Sequence, residues 1–270
     1  MFTRPVSAMA TRTILLDVGG TFIKCSDGRE IPIDSAGTRE EIASSLRAAV
    51  GDASKVAVAI PGPFDYSAGV FLMKHKFASV YGERFANLCG SKASFIFMHD
   101  VNTMLLGEMT RGEGKGYRRV ALVTLGTGLG FSMSIDGKIL TNDLGSPKVL
   151  IWNLPYCDGV LEDYASKRGF LRGYEGITVK KLAEMAFAGD TAAIARFAEV
   201  GGILSKALAP ILAEYSIECL LFGGQISYSY SLFGKSLEEG LKGIKHIGPV
   251  SDVSRATFNG LKTLIEVSQG

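Results

Sequence analysis

Two adjacent glycines followed by a threonine interrupt a strand-like segment near the start of the chain. The segment reads LLDVGGTFIK, residues 15–24, with Asp17 before the turn and Gly19, Gly20 and Thr21 in it. Glycines allow a tight turn and leave no side chain over it, so backbone amides there can approach a bulky anion such as phosphate. An ordinary β-hairpin turn explains the same residues equally well, because Gly-Gly is also common in hairpins.

Two further glycine turns follow apolar, strand-like segments later in the chain. Their residues are Gly126, Thr127, Gly128 and Gly130 in VTLGTGLGFSMSI, and Gly223 and Gly224 in ECLLFGG. In open α/β sheets, ligands gather at the carboxyl ends of strands, so three such turns could frame one nucleotide. The GTGLG run is not a dinucleotide-binding fingerprint, because it lacks the GxGxxG spacing and precedes a strand-like segment instead of a helix.

Asp100 stands in the segment MHDVNTMLLGE, where a predicted strand passes into a predicted helix. A carboxylate in that place can orient a hydroxyl group and take its proton, as phosphoryl transfer to an alcohol requires. The same aspartate could simply be the N-cap of the helix that follows. The residue type and its position by themselves favour the cap.

Strand and helix patterns alternate along the chain and predict an α/β fold. Strands are expected in TRTILLDVGG, at 55–60, at 94–98, three times within 118–140, and at 218–224. Helices are expected at 38–50, at 81–88, at 102–110, in GVLEDYASKRGFL, in TVKKLAEMAFAG, and at 191–214, 229–242 and 252–268.

An internal repeat indicates two lobes. TILLDVGGTFIKCSDGREI and VALVTLGTGLGFSMSIDGKIL share the order of apolar strand, Gly-Thr turn, apolar strand and Asp-Gly turn. The glycine-rich stretch GEGKGYR is expected to separate the lobes. Residues 1–115 would form the N-terminal lobe, completed by a C-terminal helix over 252–270, and residues 116–251 would form the C-terminal lobe.

The composition excludes several classes of protein. The chain has 270 residues, of which 47% are hydrophobic and 21% charged, as in globular proteins with more than one lobe. A net charge of +2 gives no support for nucleic acid or an anionic membrane as a partner. No apolar run reaches the roughly 20 residues that span a bilayer, and the N-terminus does not resemble a secretory signal.

The four cysteines are widely spaced and form no CxxC pair, which predicts reduced thiols in the cytoplasm. Scattered cysteines and histidines also disfavour a metal site built on Cys and His side chains. Cys157, in the segment YCDG, is expected to be a buried and unreactive thiol.

Six segments in order resemble the ROK family of sugar kinases, within the actin-like ATPase superfamily. They are LLDVGGTFIK, VAIPGPFD, MHDVNTMLLGE, VTLGTGLGFSMSIDGKI, GVLEDYAS and LLFGGQIS. The resemblance covers nearly the whole chain. It implies two lobes of ribonuclease H-like topology with ATP and a sugar in the cleft between them, and it suggests a homodimer.

The resemblance also implies roles for single residues. Asp17 would lie near the Mg²⁺ that bridges the ATP phosphates, partly through water, and Asp100 would be the catalytic base. The first two turns (Gly19, Gly20, Thr21; Gly126, Thr127, Gly128, Gly130) would hold phosphates, and the third (Gly223, Gly224) would hold adenosine. The sugar-binding set would be Gly62, His99, Asp100 and Glu162.

Departures from the family pattern lie on the sugar side. The segment SPKVLIWNLPYCDGVLE replaces the family's zinc-binding cysteine motif, so no zinc site is expected. His99 stands where the family has an asparagine. The leading hypothesis is therefore an ATP-dependent kinase of a sugar hydroxyl, with the sugar, the hydroxyl and the phosphoryl donor left open. The alternative is a non-catalytic sugar- or nucleotide-binding sensor derived from the same family.

Overall fold

The computed structural model describes residues 12–268. Within them, one compact unit contains the residues up to Met98 together with those from Leu264 onward, and the other contains His99–Thr263. No helix among the described residues is both long and apolar enough to cross a membrane.

The first unit is built on a five-stranded sheet. Its elements are β1 (Thr13–Val18), β2 (Phe22–Cys25), β3 (Glu30–Pro32), α1 (Arg39–Val50), β4 (Lys55–Ile60), β5 (Phe64–Asp65), β6 (Val70–Phe71), α2 (Phe85–Cys89) and β7 (Ser94–His99). The strand order is β3-β2-β1-β4-β7, with β1 antiparallel to β2 and parallel to β4. β4 is buried along almost its whole length, as its continuous apolar sequence KVAVAI predicts.

The predicted helix after Thr38 is confirmed, whereas the one around residues 81–88 is shorter than predicted. Thr38 caps α1 through a capping box with Glu41, which satisfies two amides at the helix start. Gly82 has φ +80°, which is incompatible with a right-handed helix. α2 therefore begins only at Phe85.

The second unit contains another five-stranded sheet and most of the helices. Its elements are α3 (Asp100–Arg111), β8 (Arg119–Leu125), β9 (Leu129–Ile135), β10 (Lys138–Ile139), β11 (Pro155–Tyr156), β12 (Gly159–Val160), α4 (Leu161–Ala165), α5 (Lys167–Phe170), α6 (Val179–Phe187), α7 (Thr191–Glu214), β13 (Cys219–Gly223), α8 (Tyr230–Glu238), β14 (His246–Pro249) and most of α9 (Val253–Val267). The strand order is β10-β9-β8-β13-β14, with β8 antiparallel to β9 and parallel to β13.

The two sheets confirm the internal repeat. Each sheet begins with a meander of three consecutive antiparallel strands. Two later strands then extend the sheet, one after the other, on the side of the meander's first strand. In both units the first strand pairs in parallel with the next strand added. The predicted α/β fold is confirmed.

Helix α3 packs with the second unit, although the sequence analysis grouped it with the N-terminal lobe. It lies against β8 and β9 and crosses α9 very closely. A Cβ atom added at Gly107 would overlap the carbonyl of Ala256, and one at Gly260 would overlap the carbonyl of Thr103. Small residues at such a crossing let two helix backbones touch. The contacts of α3 with β8, β9 and α9 therefore place it in the second unit.

Candidate active site

Asp100 occupies the junction between β7 and α3. β7 ends at His99, which is the N-cap of α3, and Asp100 is the first helical residue. The interpretation of Asp100 as the cap is therefore wrong by one position. Its side chain is 39% exposed, whereas that of His99 is 15% exposed.

Hydrogen bonds fix the direction of the Asp100 carboxylate. The Val101 amide donates to Asp100 Oδ1 at 2.7 Å and lies 3.3 Å from His99 Nδ1. His99 Nδ1 is also 2.8 Å from Asp100 Oδ1. Because Nδ1 accepts from the Val101 amide, the imidazole and the carboxylate share one backbone donor. The Val101 amide thus orients Asp100 from within the same junction.

The first turns of α3 pack directly on the second and third glycine turns. A Cβ atom at Gly130 would lie 2.8 Å from Val101 Cγ2, and one at Gly223 would overlap Met104 Sδ. β8 and β13 are parallel neighbours, so the turns that follow them lie at the same edge of the sheet. The structure therefore brings the first two turns of α3, which begins at Asp100, against residues of both glycine turns.

The second turn is a tight hairpin with an open outer side. The Gly126 amide donates to Gly128 O at 3.1 Å. A Cβ atom at Gly126 would meet no heavy atom within 4 Å, and Thr127 and Gly128 are exposed. The turn thus leaves space for a ligand to approach its backbone.

The third turn requires glycine for two reasons. Gly224 has φ +81°, and a Cβ atom there would overlap the carbonyl of Leu125 at the end of β8. Ser227 donates to Gly224 O through its hydroxyl at 2.7 Å and through its amide at 3.1 Å. The third turn is therefore packed against the second.

The first turn lies in the first unit and is a β-hairpin between β1 and β2. The Gly19 amide donates to Phe22 O at 2.9 Å, and the Ser35 amide donates to Gly20 O at 3.0 Å. Asp17 lies in β1 opposite Lys24 of β2. The hairpin interpretation of these glycines is thus confirmed, and their contact with phosphate stays a prediction. Gly62 lies half-buried just after the carboxyl end of β4.

Glu162 contacts the second turn. Its Oε2 accepts a hydrogen bond from the Leu129 amide at 2.9 Å, and its Oε1 accepts one from Arg168 at 3.0 Å. Sequence reasoning singled out Glu162 but missed Arg168. No motif contains that arginine, and a spacing of six residues does not predict an ion pair on a regular helix.

Cys157 is exposed, and its predicted burial is wrong. It lies with φ +49° in the turn that joins β11 to β12, and a side chain in such a turn projects away from the strands. Burial raises the pKa of two other thiols, Cys89 and Cys219, to about 12. Among residues 12–268, no three Cys, His, Asp or Glu side chains are clustered so as to hold a metal ion.

Two sheets of matching strand order, with glycine turns at strand ends, define a protein of the actin-like ATPase fold. A solved ROK family glucokinase from Streptomyces griseus in complex with glucose and AMPPNP superposes with a TM-score of 0.74 at 23% identity, covering 93% of this chain and 98% of that one. An inorganic polyphosphate/ATP-glucomannokinase from Arthrobacter sp. strain KM superposes with a TM-score of 0.69 at 21% identity, covering 95% and 98%.

The sequence comparisons identify the family. The glucokinase of Thermotoga maritima is 28% identical over 260 residues, which covers 84% of this chain and 74% of that protein. The model of the ROK family matches residues 38–246. The chain therefore belongs to the ROK family.

Proposed function

We propose that this protein catalyses the ATP-dependent phosphorylation of a sugar hydroxyl, with Asp100 as the general base. Membership of the ROK family and the similarity to glucokinases support phosphorylation of a sugar. One observation carries the residue assignment: Asp100 is accessible at the start of the helix that packs on Gly130 and Gly223. A base in that place lies beside two turns suited to a nucleotide.

The proposed reaction is an in-line displacement. The sugar hydroxyl oxygen forms a bond to the γ-phosphorus of ATP while the Asp100 carboxylate accepts the hydroxyl proton. The bond from the γ-phosphorus to the bridging oxygen breaks, and ADP leaves with that electron pair. Asp100 can accept the proton without turning because its hydrogen bond from Val101 holds the carboxylate in place.

The second and third turns fit the nucleotide. The open side of Gly126 and the exposed Thr127 and Gly128 leave room for phosphate oxygens near backbone amides. Gly223 and Gly224 would face adenosine, and the amides of the first turn, Gly19–Thr21, would bind phosphate in the same way as those of the second.

Mg²⁺ would be held through Asp17. Magnesium bound with a nucleotide needs only one or two protein carboxylates, because phosphates and water supply its other ligands. One aspartate at the end of a strand beside a glycine hairpin fits that donor set. When bound, the ion neutralises charge that builds up on the phosphates.

On the sugar side, Gly62 and His99 are the proposed contacts together with Asp100. Glu162 is the fourth proposed sugar contact, and it also bonds to the second turn. We also propose that the protein acts in the cytoplasm as a homodimer, with no nucleic acid or membrane partner. Its dispersed cysteines support the cytoplasm and its near-neutral charge supports the absence of such partners, whereas the homodimer rests on the family resemblance.

The test is formation of a sugar phosphate across a panel of hexoses, amino sugars and N-acetylated sugars, measured as ADP release with Mg-ATP as donor and directly with polyphosphate as donor. At least one sugar should be phosphorylated with Mg-ATP. Asp100→Asn should lower kcat by about 10²-fold or more, as loss of a general base does, with binding of Mg-ADP retained. If ATP binds and no sugar is phosphorylated with either donor, the protein is a non-catalytic sensor and the proposal is wrong.

A further inference from the structure

The second glycine turn is held from its protein side by residues of α4 and α5. The Lys167 amide donates to Gly126 O at 2.8 Å, and the Leu129 amide donates to Glu162 Oε2 at 2.9 Å. A Cβ atom at Gly128 would lie 3.0 Å from the same Oε2 atom. The Glu162 carboxylate therefore lies against the backbone of the turn and bonds to one of its amides.

Arg168 holds this carboxylate in turn. Its guanidinium donates to Glu162 Oε1 at 3.0 Å and lies 3.0 Å from Asp163 Oδ1. Asp163 Oδ2 accepts a hydrogen bond from the Val160 amide at 3.1 Å. A continuous series of hydrogen bonds and ion pairs thus connects the glycine turn to β12, in the stretch that replaces the family's cysteine motif.

We propose that Glu162 and Arg168 form a brace that positions the second turn for the nucleotide phosphates. The inference rests on the proposed function. A turn rich in glycine has wide conformational freedom, which must be restricted before its amides can point at a ligand. Donors fixed in advance bind charge without reorganising, and side chains behind them supply that rigidity.

The brace differs from an ordinary surface ion pair. Exposed ion pairs contribute little by themselves, and the Arg168 side chain is 60% exposed. Glu162, however, is only 23% exposed and also accepts from the amide of Leu129, which is a buried residue. Loss of Glu162 therefore leaves a backbone amide of the turn without a charged acceptor, which costs more than loss of the pair.

Three variants separate the brace from a sugar contact. Arg168→Met removes the cation and should raise the KM for ATP and the Kd for Mg-ADP about 2- to 5-fold, in line with loss of an exposed ion pair. Glu162→Ala should raise both about tenfold or more, as loss of a charged hydrogen-bond acceptor does. The KM for the sugar should stay within about twofold in Arg168→Met. Arg172→Met is the matched control, because Arg172 lies over the Tyr164 ring at 4.6 Å and its loss changes the charge equally.

Amide exchange in the ligand-free protein gives a readout that does not depend on activity. The peptide covering residues 126–131 should exchange hydrogen for deuterium faster in Arg168→Met than in the wild type, and at the wild-type rate in Arg172→Met. If the wild type binds Mg-ADP and Arg168→Met changes neither that affinity nor the exchange, the brace is wrong. A rise confined to the KM for the sugar in Glu162→Ala, with nucleotide affinity unchanged, would also overturn it. If the wild type neither phosphorylates sugars nor binds nucleotide, the proposed function is wrong. The exchange rates in the ligand-free protein then still show whether Arg168 restrains the second turn.

Discussion

Replacing Gly224 with alanine tests whether the third turn depends on close backbone contact. Gly224 has φ +81° and ψ 167°, an extended positive-φ conformation that is essentially restricted to glycine and costs another residue about 1–3 kcal/mol. The added Cβ atom would also lie 2.9 Å from the carbonyl carbon of Leu125 and closer still to its oxygen. Because that neighbour is backbone at the end of β8, it cannot rotate away, and overpacking adds about 1–3 kcal/mol. We expect Gly224→Ala to lower the free energy of unfolding by about 2–6 kcal/mol, from these two costs together.

The control for this prediction is Gly116→Ala. Gly116 has φ +91°, and a Cβ atom there would meet no heavy atom within 4 Å, so only the conformational cost of about 1–2 kcal/mol applies. Urea denaturation of both variants measures the difference between their losses in the free energy of unfolding. The comparison requires that the slope of that free energy against urea concentration equals the wild-type slope. Equal losses in the two variants would refute the close packing of Gly224 on β8.

Two further predictions concern ionisable groups. Burial raises the pKa of Glu108 above its usual value near 4.5, so the folded state binds this proton more tightly than the unfolded state. The free energy of unfolding should therefore fall as the pH rises from about 4.5 through the raised pKa, and Glu108→Gln should remove that part of the pH dependence in denaturation curves recorded from pH 4 to 8. Of the four thiols, only the exposed Cys157 should react quickly with a thiol reagent in the folded protein, since Cys25, Cys89 and Cys219 are buried. A Cys157→Ser variant that still showed a fast-reacting thiol would contradict this.

Much of the fold could be predicted because its signals are local. The continuous apolar run of β4 and the capping residue of α1 each specify an element without reference to the rest of the chain. The similarity of the two segments that begin the sheets likewise predicted two related meanders. The short edge strand β14 was missed because HIGP contains glycine and proline, which disfavour strands when read alone. It forms because its neighbour β13 offers a parallel partner.

The candidate site was less predictable because its geometry depends on partners distant in sequence. The strand-to-helix pattern located Asp100 at the start of α3. It did not show which of two adjacent residues is the N-cap, because the side chains of His99 and Asp100 both accept from the Val101 amide. A motif likewise identified Glu162 but not the direction of its carboxylate. That direction follows from the Leu129 amide, 33 residues earlier in the chain, and from Arg168.

Small residues at the contacts of α3 explain how the proposed base is kept near the proposed nucleotide turns. Glycines at 130 and 223 let the start of the helix touch the strand ends, and glycines at 107 and 260 let the rest of it touch α9. A larger residue at 107 or 260 would meet backbone and push α3 away from α9, whereas one at 130 or 223 would first meet the side chains of Val101 and Met104. The position of the α3 backbone, from which Asp100 projects, is therefore set mainly by its backbone contacts with α9.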